Sequence, residues 1–178
     1  MSKTTIISDK RINYEGLYDL KSAYSFLKSY LGDFKHYDVT EKEAEEINKG
    51  DIRELKGNFE AELEYNDYYK FIITFELKFA GKKVVTQRDG EYHDLVEGNA
   101  NLYINAYIET DYLQKRPKGP IGEFLDKIYS KYIEDEQKKA IGDLAGDVSE
   151  FISRFKQNLN YTIKWNLKKD QKSLELEL

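Results

Sequence analysis

Among its 178 residues the chain has no cysteine, two prolines, two histidines and one tryptophan. Without cysteine there is no disulfide, no thiolate nucleophile and no sulfur-ligated metal site, which suits a reducing compartment. His36 and His93 lack a carboxylate or second histidine at ligand spacing, and Tyr92-His93-Asp94 reads as a surface strand, so neither metal nor cofactor is expected. No apolar run reaches about 18 residues, and the N-terminus lacks the charged, apolar, small-residue order of a secretory signal. The expectation is a soluble cytoplasmic protein with no membrane span. Gly119-Pro120-Ile121-Gly122 has neither the spacing nor the lysine of a phosphate loop. A net charge of -5 argues against a sequence-independent grip on nucleic acid.

What is present points to sheet. Hydrophobic residues make up 40%, enough for one core, so residues 1–178 read as a single domain with 158–178 as a C-terminal hairpin extension. Fifteen tyrosines favour strands and contact surfaces over catalysis, because the ring is buried while the hydroxyl stays wet.

The organising stretch is 59–79, two antiparallel strands joined near Asn66-Asp67. Phe59, Ala61, Leu63 and Tyr65 alternate with Glu60, Glu62 and Glu64; Tyr69, Phe71, Ile73, Phe75, Leu77 and Phe79 alternate with Lys70, Ile72, Thr74, Glu76 and Lys78. A two-residue turn would set apolar positions against polar ones. An odd loop instead opposes Leu63 to Phe71, Ala61 to Ile73 and Phe59 to Phe75, and brings Glu64 to Lys70.

Upstream, 4–7 reads as a short strand, and 17–31 as a one-sided helix through Leu17, Leu20, Tyr24, Leu27 and Leu31, ended by Gly32. Residues 36–47 read as an acidic edge strand, with a helix as the alternative. Downstream, 84–88 and 91–95 flank Asp89-Gly90 as a hairpin that pairs Arg88 with Glu91 and Val84 with Leu95. Gly98-Asn99 is expected to turn the chain into a strand whose Ala100, Leu102, Ile104, Ala106 and Ile108 face the core. After the linker 115–120, Ile121, Phe124, Leu125, Ile128, Tyr132 and Ile133 form one helical stripe. Ile141, Leu144, Val148, Phe151 and Phe155 form another, in two helices or one bent helix, with Gly142 and Gly146 suited to close packing. The expected fold is α+β: a single curved antiparallel sheet of about five to seven strands, with an N-terminal helix and two C-terminal helices largely on one face.

Tyr14-Glu15-Gly16-Leu17-Tyr18-Asp19-Leu20-Lys21, Asp67-Tyr68-Tyr69-Lys70-Phe71, Asp89-Gly90, and Phe124-Leu125 with Ile128-Tyr129 and Lys131-Tyr132-Ile133 carry a resemblance over roughly residues 10–157. The chain resembles an uncharacterised group of small α+β proteins from small-genome archaea. The resemblance implies an intracellular archaeal setting and no known activity, so no functional residue comes with it. The tail departs from the group's pattern.

In that tail Leu159, Tyr161, Ile163, Trp165 and Leu167 alternate with polar residues, and Leu174, Leu176 and Leu178 alternate with glutamates. Its apolar side is either buried within the chain or lent to another subunit. A face collecting Tyr68, Ile72, Thr74, Tyr103 and Tyr107 is the second candidate contact surface. The expectation is a non-enzymatic interaction or self-assembly module that binds another protein or itself through this face, with Trp165 and the tail leucines. The alternative is a helix-over-sheet cavity holding a small apolar ligand, lined by Tyr24, Phe75, Tyr129 and Trp165. Glu60, Glu62 and Glu64 read as a solvated face balanced by Lys70 and Lys78, and no nucleophile, base and orienting partner can be assembled.

Overall fold

A computed structural model of the chain describes residues 2–88, 91–110 and 134–159. β1 spans Ser2–Tyr18, α1 Leu20–Ser29, a π-helical turn Tyr30–Phe34, β2 Asp38–Lys49, β3 Ile52–Glu64, β4 Tyr69–Arg88 and β5 Glu91–Thr110, and α2 covers 134–159. The strands form one antiparallel sheet in the order β1-β5-β4-β3-β2, which gives the α+β class expected from the pattern.

Register follows alternation. Phe59 opposes Phe75, Ala61 opposes Ile73, Leu63 opposes Phe71 and Glu64 opposes Lys70. Any one-residue slip would turn the apolar row outward. The loop is odd because Asn66 organises it: its Oδ1 accepts from the Tyr68 and Tyr69 amides at 2.9 and 2.7 Å, and the Tyr65 amide donates to Tyr69 O. Arg88 pairs with Glu91 and Val84 with Leu95, as the Asp-Gly signal requires.

Several expectations are corrected. Gly98-Asn99 does not turn: β4 and β5 run unbroken, with Gly81 opposite Gly98. A Cβ on Gly98 would lie 2.2 Å from Ala80 O, so these glycines permit a close backbone approach rather than a reversal. The proposed short strand at 4–7 is the start of the 17-residue β1. Leu17 and Tyr18 belong to that strand and not to the helix, because Tyr18 packs its ring on Phe79 and donates its hydroxyl to Asn99 O. Asp19 then caps α1, its Oδ1 accepting the Ser22 amide at 3.0 Å. Gly32 does not end the helix; the π-helical turn passes through it, and the chain leaves at His36, which has a positive φ of 61°. Residues 134–139 are helical and continuous with 140–159, so Asn158 and Leu159, expected in the hairpin, belong to that helix. Gly142 and Gly146 show no close packing among the described residues: a Cβ on either would meet none of their atoms within 4 Å. The expected helical stripe at 121–133 and the hairpin beyond 159 lie outside the described residues.

Both helices cover the same face. Leu20, Ala23, Leu27 and Leu31 from the first, and Ala140, Leu144, Val148, Phe151, Phe155 and Leu159 from α2, join the inward rows of β3, β4 and β5 in one buried cluster. Phe151 meets Phe75 at 5.0 Å between ring centroids and Phe26 at 6.1 Å. Burial of each such side chain contributes about 1.5–3 kcal/mol, which locks the helices to the sheet.

Both sheet edges are guarded. β2 is the edge strand expected at 36–47, carries Glu41, Glu43, Glu45 and Glu46, and has a register shift between Glu41 and Glu43. β1 has register shifts between Thr5 and Ile7 and between Ile7 and Lys10, with Asp9 at φ 50° and its amide donating to Asn105 Oδ1 at 2.8 Å. Among the described residues no helix is long and apolar enough to cross a membrane.

Candidate interaction face

The period of two that buries Phe71, Ile73 and Phe75 sends Ile72 and Thr74 to the opposite, helix-free face. On β5 the same alternation sends Tyr103, Asn105 and Tyr107 there, while Leu102, Ile104, Ala106 and Ile108 stay inside. Cross-strand register then assembles the group: Ile72 lies opposite Tyr107, Thr74 opposite Asn105 and Glu76 opposite Tyr103. From the other neighbour, Thr5 lies opposite Tyr107 and Arg11 opposite Tyr103. Four of the residues named from sequence therefore form one patch astride β4 and β5.

Tyr68 stands apart. It precedes β4 in the bend, with its ring edge-on to Tyr69 at 4.8 Å and packed against the core cluster. Trp165, Leu174, Leu176 and Leu178 lie outside the described residues, as does Tyr129 of the cavity alternative.

Cations frame the rings. Lys3 Nζ sits 4.2 Å from the Tyr107 centroid, and the Tyr103 ring lies 5.4 Å from Arg11 Cζ and 5.1 Å from Lys78 Nζ. Hydrogen bonding to Glu76 holds the Lys78 ammonium above its ordinary pKa, and Asp9 does the same for Arg11, so both keep their charge through neutral pH. Ile72 beside Tyr107 is only 6% exposed, so its neighbours already shield it from water.

The acidic row borders this patch on β3. Lys42 pairs with Glu60 at 2.9 Å and Lys70 with Glu62 at 2.5 Å. The Lys70 ammonium thus takes the diagonal carboxylate rather than Glu64, its register partner, and Lys78 pairs with Glu76 of its own strand. No group of three or more metal-capable side chains converges among the described residues. His36 occupies the exposed left-handed turn before β2, and His93 lies in β5 opposite Thr86. What the face supplies is ring area, hydroxyls and fixed charges, the materials of a contact surface.

The helix-covered side holds features that sequence reasoning missed. Lys35, just past the π-helical turn, bonds Asp147 at 3.0 Å and Glu150 at 2.7 Å, and the Tyr37 hydroxyl donates to Asp147 at 2.9 Å. Burial, then the Asp147 charge, pushes the Tyr37 phenol well above its usual pKa. The Tyr65 hydroxyl donates to Asp143 at 2.7 Å and is pushed up to about 12 by that bond. These bonds fasten α2 to the sheet. The partners lie from 78 positions apart in the chain, for Tyr65 and Asp143, to 115, for Lys35 and Glu150, so no local pattern could have revealed them. Phe75, one of the residues named for a ligand cavity, is instead in ring contact with Phe151. A cleft of about 700 Å³ opens elsewhere, between the start of α1 and the β2–β3 hairpin, lined by Asp19, Leu20, Lys21, Tyr24, Ala44, Glu46, Arg53, Leu55 and Asp94.

A scan of protein-family models finds none that matches this chain, and a search of curated proteins finds no match either.

Proposed function

We propose that this protein is a non-enzymatic self-assembly module that pairs with a second copy of itself through its helix-free sheet face, inside the cell. The observation that carries the reading is the patch of Ile72, Thr74, Tyr103 and Tyr107 at the centre of a face that no described helix covers. A face serving only solvation needs no pair of tyrosines on either side of an asparagine along one strand. Charge supports a like partner. Glu60 and Glu62 on the β2–β3 half are already paired with Lys42 and Lys70, and Arg11 on β1 with Asp9, which leaves Asp38 and Glu64 on one half and Lys3 on the other. A two-fold axis parallel to the strands would set each half over the opposite half of the other copy, in a stack of two sheets about 10 Å apart. The guarded edges of β1 and β2 disfavour edge-to-edge pairing, which leaves the face.

Light scattering across a concentration series tests it. The wild type is expected at twice the chain mass, and Tyr107→Glu with Tyr103→Glu at the chain mass with unchanged circular dichroism. A wild-type monomer at every concentration would end the self-assembly reading. If native mass spectrometry then found a small molecule carried by that monomer, the cavity alternative would take its place.

A further inference from the structure

The cleft beside α1 is apolar at its floor, through Leu20, Tyr24 and Leu55, and carries Arg53 and Asp94 at its rim. One of the three exposed large hydrophobic residues among those described adjoins it: Val85, 53% exposed, lies opposite Asp94 in the β4–β5 pairing and on the same side of the sheet. This corner of the sheet therefore leaves apolar surface that the helices do not reach.

The end of α2 lies across the first turn of α1 from the cleft. Asn158 Nδ2 donates to Ser22 Oγ at 3.3 Å, while Leu20 and Tyr24 on either side of Ser22 in the chain line the cleft. Residues 160–178 continue from that point, beginning with Tyr161, Ile163, Trp165 and Leu167 in alternation with polar residues. Six extended residues reach about 20 Å, enough to bring Trp165 round the helix start. Lys164, Lys168 and Lys169 accompany that apolar row; in the cleft wall Asp94 is already held by Lys83 and Arg53, which leaves Asp19 and Glu46, beside Lys21, as the carboxylates that face them.

We propose that this cleft is the docking site of the chain's own C-terminal segment, seated in cis with the apolar row of Tyr161, Ile163 and Trp165 turned to Leu20, Tyr24 and Leu55. Attachment through α2 raises the local concentration of the segment far above that of any second copy in dilute solution. The inference is independent of the sheet-face reading, since the cleft opens on the helix-covered side.

Trp165 is the only tryptophan in the chain, so its fluorescence reports on this contact alone. In the full-length wild type, blue-shifted emission and several-fold slower acrylamide quenching than for free tryptophan are expected, both independent of protein concentration. Ala44→Arg, at an exposed cleft position, is expected to return Trp165 to solvent-like emission and quenching with the circular dichroism unchanged. Hydrogen exchange gives a second reading that does not depend on that variant: Trp165→Asp should speed exchange at 44–46 and 53–55. Fully exposed Trp165 in the wild type, shielding unaffected by Ala44→Arg, or unaltered exchange in Trp165→Asp would each overturn the assignment. Shielding that grows with protein concentration would assign the segment to a second copy and overturn docking in cis.

Discussion

The two faces of the sheet are made from the same strands and differ in almost every other respect. On the helix-covered face Phe59, Phe71, Ile73, Phe75, Leu77 and Phe79 are at most 2% exposed and meet rings and methyl groups from α1 and α2. On the helix-free face the contacts are ions against ions and cations over rings, such as Lys70 with Glu62 and Lys3 with Tyr107. Dispersion and burial hold the first face and offer no charge for salt to screen; the second is held by partly screened charges that contribute little each. Stability is thus concentrated on one side, and the other is free to vary its side chains for contact without unfolding the molecule.

That division breaks most visibly if the dry face is opened. Phe151→Ala, which removes a ring touching Phe75, Phe26 and Phe155, is expected to cost about 3–5 kcal/mol in urea denaturation. Tyr103→Ala on the other face, which forfeits only a half-exposed ring and its cations, should cost under about 1 kcal/mol. Similar losses from the two changes would mean that the faces share the load. An effect between these two is expected from Asp147→Ala, which leaves the hydroxyl of the buried Tyr37 without its acceptor: about 1–3 kcal/mol, with faster hydrogen exchange in α2. Asp19→Ala, which strips the cap from α1, should cost about 0.5–2 kcal/mol, measurable as a lower Tm.

These contrasts also mark what could be read from the chain and what could not. The register of Leu63 with Phe71 and of Val84 with Leu95 was legible, because side-chain alternation and turn residues are local properties. The inward rows of β4 and β5, and with them the outward Ile72, Thr74, Tyr103 and Tyr107, follow from the same alternation. Leu17 misled because it continues the stripe of α1; Tyr18, which the expected helix also took in, is held in β1 by Phe79 and Asn99, distant in sequence. Gly98-Asn99 misled because glycine serves a close approach as readily as a turn, and only the facing Gly81 distinguishes the two. The cleft was invisible because its walls come from α1, β2, β3 and β5.

The seam between α1 and β2 gives the finest test, because there a charge works at the border of the dry face. Glu41, opposite Phe59, accepts from the Tyr24 hydroxyl at 2.5 Å and pairs with Lys28 at 2.6 Å. The Lys28 bond first, then the Tyr24 bond, lowers the carboxyl's pKa in the folded protein. A depressed folded value means that the contribution is present above the unfolded pKa and fades as pH falls through the folded one. Its size should stay below about 1 kcal/mol, since both partners are partly exposed and salt screens them. The Tm gap between wild type and Glu41→Gln should therefore be small and positive at pH 7, shrink with added salt, and close on acidification. A gap that persisted at pH 2 would mean that Tyr24 uses residue 41 only as a neutral hydrogen-bond acceptor. The border would then belong to the dry face, with no electrostatic share.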